Sequence, residues 1–259
     1  MNTLHPIRSK ATAVVVGGLA ALMLAGSVFA ASPAPAATAP TAKPDTACAA
    51  QRAAVKKDPS VPNLIALGNC EINRRYVTLD RLQGAVIVAP YLTSSDRTAL
   101  ENEINSTRTG LQGLKATIDA DTTVDALKTD LPKIATDYRV YLLVVPQVHL
   151  TRGADAESAA AGRLTNLAGR LQELITFAQS QGRDVTAAKA ALGAMNTDIG
   201  DAQGQLAGLS GKILALTPAD WNGGTAAPVL NGARASEKSA HDELVAARNE
   251  AKAVIAALK

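Results

Sequence analysis

The sequence predicts an all-α protein: an elongated antiparallel bundle of long helices, coiled-coil-like in its hairpins, with an alanine and leucine heptad core. Three observations predict it. After Asn63, apolar residues recur at alternating steps of three and four nearly everywhere, the spacing of helices packed almost parallel or antiparallel. The breaks between stripes are short and fall around Pro90, at Ala120-Asp121, at Gly182 and at Asn222-Gly223-Gly224. Short links make successive helices antiparallel neighbours. Aromatic residues are only 3% of the chain and many stripe positions are alanine, so helices can approach closely while each buries little area.

The elements follow in order. Ile65, Ile72, Leu79, Leu82 and Val86 mark one helix. Leu100, Ile104, Leu111, Leu114 and Ile118 mark the next, with Thr107 in the gap and Ser95 and Asp96 as candidate caps. Val124, Leu127, Leu131, Ile134, Tyr138 and Tyr141 carry the rhythm through Pro132. That proline lies off the stripe, which predicts a kink rather than a break. Leu164, Leu167, Leu171 and Leu174 mark a fourth helix. An unbroken series runs through Val185, Ala188, Leu192, Met195, Ile199, Ala202, Leu206, Leu209, Ile213 and Leu216. The last helix reads Leu230, Ala233, Ala240, Leu244, Ala247, Ala251, Val254 and Leu258, interrupted by Glu237. Helices of about 25–33 residues span about 40–50 Å at 1.5 Å per residue.

The N-terminus reads as an export signal. Arg8 and Lys10 precede an uncharged apolar run, Ala11 to Val28, and Val28-Phe29-Ala30 matches a small-x-small cleavage site. Cleavage after Ala30 is expected, giving a secreted or extracytoplasmic protein with no stable membrane insertion. Residues 31–47, ASPAPAATAPTAKPDTA, form a Pro/Ala/Thr linker. The formal charge of the whole chain is +3, and the signal holds two basic and no acidic residues, so the mature balance is near +1. A nearly neutral protein offers no compositional support for a nucleic-acid partner.

Cys48 and Cys70 remain after the signal. KDPSVP, residues 57–62, breaks the chain, and the cysteines stand eleven residues on either side of Pro59. In a helical hairpin that turns at Pro59 they reach the same height, so a disulfide staple is expected. Its loop-closure entropy contributes on the order of 3 kcal/mol. A helical half over residues 48–145 follows, then a crossover at 146–153 and a second helical half over 154–259.

Catalytic motifs are scarce. GLSGK at 208–212 has Leu206 and Ile213 where a phosphate loop needs Gly and Ser or Thr. No G-x-S-x-G elbow occurs. His241 sits in a polar stretch beside Asp242 and reads as a solvated surface residue. His149 and His241 lack a Cys or carboxylate at ligand spacing, so no metal and no cofactor are expected. Asn105-Ser106-Thr107 is a sequon by pattern, placed mid-helix.

Two places stand out. In LTPADWNGG, residues 216–224, Thr217, Pro218 and Asp220 read as N-cap, N1 and N3 of a short helix. Trp221 then either seals the bundle end or joins Asp220 at a carbohydrate or peptide site. The second place is DYRVYLLVVPQVHLTRGAD, residues 137–155. The proline pushes Val145 toward extended geometry. A helix through about Leu143, an irregular or extended crossing to Thr151 and a new helix from about Ala154 are expected. Tyr138, Arg139, Tyr141, Gln147, His149 and Asp155 then line a small site, or satisfy backbone groups of a buried crossover. The tyrosines fall on the core stripe, which favours the structural role.

YRVYLLVVPQVHLTRGAD and LTPADWN together resemble elements of uncharacterised exported bacterial all-helical proteins, which share a signal segment and a long antiparallel helical region. That resemblance implies the fold and no activity. The expectation is therefore a non-enzymatic exported bundle that binds or spaces something at the cell envelope. Its partner would be an envelope protein or a glycan, with self-association through helix faces open. The alternative is a carrier for a small apolar or sugar-like ligand held near Tyr138, Tyr141 and Trp221.

Overall fold

A computed structural model describes residues 47–259. The signal segment and residues 31–46 of the linker lie outside the described residues. The described part is all-α, and no strand occurs in it. In order it comprises α1 (Ala49–Lys57), α2 (Val61–Ile87), α3 (Ser94–Ala120), α4 (Val124–Asp130), α5 (Lys133–Thr136), a π-helical turn (Val140–Val144), α6 (Val145–Ser180), α7 (Thr186–Leu206), α8 (Leu209–Leu214), α9 (Pro218–Asn222) and α10 (Ala226–Ala257).

Cys48 and Cys70 form the expected disulfide, with Cα atoms 5.8 Å apart. It fastens the start of α1 to α2, and the Arg52–Glu71 ion pair lies one turn away. α2 begins at Val61 with Pro62 in its first turn, where a missing N–H costs nothing. Its C-terminal carbonyls are met by Arg97, whose guanidinium donates to Val86 O, to Ile87 O at 3.0 Å and to Ala89 O at 2.7 Å. A cation there also suits the negative end of the helix dipole. The cap of α3 is Thr93 rather than Ser95 or Asp96, its hydroxyl accepting from Asp96 N at 3.1 Å.

The buried residues form two clusters. The first joins α2, α3, α4 and α5 around Ile72, Leu79, Leu100, Ile104, Leu111, Ile118 and Leu127. The second joins α6, α7, α8 and α10 around Leu164, Leu171, Ile175, Met195, Ile213 and Leu244. The long stripe of α7 and α8 is buried from Val185 through Ile213. It is not one helix, however: α7 stops at Leu206, and Gly208 takes a left-handed conformation (φ 65°) that glycine adopts without a Cβ clash. The core side of α2 buries Leu64 rather than Ile65.

The segment read as one kinked helix from Val124 to about Leu143 is three pieces. Leu131 and Pro132 stay in right-handed helical geometry between α4 and α5, so the proline bends the path. The true break is Arg139, with φ at 41°. Beyond it the π-helical turn leads directly into α6, and residues 146–153 are helical. The expected irregular crossover is therefore corrected. Pro146 stands in the first turn of α6, directly after the π-helical turn, without ending the helical path. The dense apolar run reflects a helix with two buried faces: Val140, Val144 and Val148 belong to the first cluster, Leu143 and Leu150 to the second.

Candidate functional site

The helical geometry of α6 sorts the polar residues of the 137–155 stretch. Gln147, Thr151 and Asp155 recur every fourth residue and are all buried, whereas His149 lies on the exposed side. Gln147 Nε2 donates to Ile213 O at 3.0 Å and Leu216 O at 2.9 Å. These are carbonyls at the end of α8, where a helix runs out of its own donors. Asp155 accepts from Thr93 N at 2.7 Å and from Ser210 Oγ at 3.3 Å. One carboxylate thus ties the entry of α3 and the start of α8 to α6. Burial raises its pKa above the ordinary carboxylate value, and the neighbouring Asp96 adds to the rise, while the bonds from Thr93 and Ser210 oppose it. Gln147 Oε1 and Thr151 Oγ1 are buried without a protein partner. Partial burial lowers the His149 pKa, and the Arg152 charge reinforces this.

The residues around the break diverge too. Arg139 Nε donates to Asn222 Oδ1 at 2.8 Å, and Asn222 Nδ2 donates to Thr136 O at 2.9 Å. This clasp joins the end of α5 to the end of α9. Tyr138 packs closely on α3 at Gly110, where an added Cβ would lie 2.4 Å from Tyr138 Cε1. Tyr141 is not on the core stripe, because the left-handed Arg139 and the π-helical turn rotate it out of phase. It is 37% exposed, and the guanidiniums of Arg74 and Arg75 stand 5.5 and 5.2 Å from its ring centroid.

Thr217 is the N-cap of α9 and Asp220 its third residue, as expected, and the two also close a reciprocal capping box. Asp220 N donates to Thr217 Oγ1 at 3.2 Å, and Thr217 N donates to Asp220 Oδ2 at 2.8 Å. Thr217 Oγ1 also donates to Asp220 Oδ2 at 2.6 Å, and the bonds from the Thr217 hydroxyl and backbone N–H lower the Asp220 pKa. Trp221 is partly buried against the second cluster. The eight candidates therefore do not converge on one site. Tyr138, Arg139, Gln147, Asp155, Asp220 and Trp221 each hold a helix or a turn in place, His149 faces outward, and Tyr141 belongs to an arginine stack on α2.

Two features escaped the sequence. Glu237, which interrupts the stripe of α10, faces Gly153 of α6; a Cβ on that glycine would lie 2.8 Å from Glu237 Oε1. Burial pushes the Glu237 pKa up to about 8, and Glu157 adds repulsion, against the pull of the Ala154 N–H and the charge of Arg234; Glu237 Oε1 is buried without a hydrogen-bond partner. His241 is not a solvated bystander: its Nδ1 lies 3.0 Å from Glu157 Oε1. The sequence signal was the charged residue on an otherwise apolar stripe. The second feature is the outward face of α2, where two adjoining concavities of about 450 and 310 Å³ share Arg74 and Val77. Tyr141 and Arg81 line the smaller one.

Among the described residues no group of His, Cys, Asp and Glu is arranged to hold a metal ion. No described helix is long and apolar enough to cross a membrane. No family model matches the chain, and neither the curated proteins nor the solved structures contain a significant match.

Proposed function

We propose that this chain is an exported, non-enzymatic helical bundle that acts as an interaction or spacer protein at the cell envelope. The observation that carries the reading is the use made of its polar residues. Gln147, Asp155 and Arg139 are hydrogen-bonded to other elements, and Asp220 caps its own helix. Side chains engaged in this way hold helices in register and are not poised for proton transfer or nucleophilic attack. The disulfide adds the staple expected of an oxidising compartment. The partner is an envelope protein or a glycan.

The carrier reading draws on Tyr141 alone, which lines the concavity of about 310 Å³. Tyr138 and Trp221 are packed in different surroundings, which favours the interaction reading. Cross-linking and pull-down of the mature protein from its native envelope test it. A defined partner recovered with the protein supports the proposal. Substrate-dependent turnover by the purified mature protein overturns it.

A further inference from the structure

The buried stripe of α10 carries one charged residue. Glu237 stands between Ala233 and Ala240, both buried, where heptad spacing calls for an apolar side chain. Its carboxyl finds room because α6 presents a glycine: a Cβ at Gly153 would lie 2.8 Å from Glu237 Oε1. That oxygen is shut off from solvent and has no hydrogen-bond partner. One turn further along both helices a second rung forms. Glu157 follows Gly153 by four residues and His241 follows Glu237 by four, and His241 Nδ1 lies 3.0 Å from Glu157 Oε1. Residues four apart share a helix face, so Glu157 has Glu237 on one side and His241 on the other. All three side chains are half-buried. The charges that act on Glu237 are Glu157 of α6, which repels it, and Arg234 of its own helix, which attracts it. Among the described residues none comes from α7, α8 or α9, the other helices packed on α10. Arg234 is exposed and bonds Asn231 Oδ1 at 2.8 Å.

We propose that Glu237, Glu157 and His241 form a proton-operated latch between α6 and α10: a protonated Glu237 holds the seam closed, and its ionisation in mildly alkaline surroundings loosens the seam while the rest of the bundle stays folded. In the closed form a neutral carboxyl lies against Gly153, and a protonated His241 pairs with the Glu157 carboxylate. Ionisation sets two carboxylates against each other across a half-buried seam, beside an imidazole that is by then neutral. Burial first, and then Glu157, makes Glu237 hold its proton well above the ordinary carboxylate range. Opening the seam hydrates the carboxylate and ends that penalty, so proton release and opening are linked. Little apolar area resists the opening. The buried residues on either side are Ala154, Ala160 and Ala161 of α6 and Ala233 and Ala240 of α10, and each alanine removes only a methyl group from water. The first cluster and the disulfide contain no residue of α10, which keeps the loosening local. The latch makes α10 responsive to the surrounding pH, and it stands apart from the interaction reading above.

Hydrogen exchange of the full chain at pH 6 and pH 8.5 tests the latch. Exchange is read by mass spectrometry on peptides and corrected for its intrinsic dependence on pH. Protection over residues 150–160 and 233–244 is expected to fall by about tenfold or more between the two conditions. Peptides of α2 and α3 should keep their protection, and circular dichroism should show unchanged helicity, because the open form stays a minority. Glu237→Gln keeps the shape and cannot ionise, so the two segments should be equally protected at both pH values. Glu157→Gln removes the repulsion and should shrink the step; it tests the carboxyl pair even where Glu237→Gln does not fold. Unchanged protection in the parent, an equal loss over α2 and α3, or a step that neither substitution diminishes overturns the proposal.

Discussion

Glu237→Gln is the substitution whose effect depends most sharply on conditions. The carboxyl sits on the core stripe of α10 against Gly153, faces Glu157 and Arg234, and has Glu157 in turn bonded to His241. Its pKa is pushed from 4.5 up to about 8. Below the lower value both folded and unfolded chains are protonated, and the site is neutral to stability. Between the two values the unfolded chain ionises while the native chain holds its proton, so native stability falls as pH rises. Above about 8 the loss is complete. At about 1.4 kcal/mol per tenfold change in proton affinity, that gap has a ceiling of about 5 kcal/mol. The residue is half-buried rather than enclosed, so screening reduces the effect to on the order of 2–3 kcal/mol. Glutamine keeps the shape and cannot ionise. Urea unfolding of the parent and Glu237→Gln at pH 5, 6.5, 8 and 9 reads the difference directly. The two should be nearly equal at pH 5, with the variant ahead by about 2–3 kcal/mol at pH 9. A difference that stays constant across the series would refute the reasoning.

Other perturbations follow from single contacts. Thr151→Val replaces a buried hydroxyl without a protein partner by a methyl of the same shape; chemical denaturation should show stabilisation of about 1 kcal/mol. Gly110→Ala drives a Cβ into the Tyr138 ring and should cost about 1–3 kcal/mol, part of which Tyr138→Leu in the same chain recovers. Cys48→Ser with Cys70→Ser should lower stability by about 3 kcal/mol, and amide exchange should rise first in α1, none of whose residues are buried.

The legible parts of the fold obey local rules. The capping box at Thr217 and Asp220, the disulfide across Pro59 and the stripe from Val185 to Ile213 each follow from residues near one another in sequence. What the sequence hid depends on distant partners. Nothing in Tyr-Arg-Val marks Arg139 as left-handed; it is held by Asn222, 83 residues away. Pro146 suggested an extended crossing because a proline restrains its predecessor, yet the same residue fits the first turn of α6. Only the two clusters on either side of α6 explain why that run is apolar on several faces. The candidate residues of the 137–155 stretch separate into inward ties and an outward histidine only once the helical phase is known.

The proposed function requires that the mature protein hold a partner on its surface. Cross-linking in the native envelope followed by pull-down of the mature protein tests this directly. One defined envelope protein or glycan should be recovered with it and be absent from a control pull-down without the protein. Recovery of no partner, together with substrate-dependent turnover by the purified chain, would contradict it.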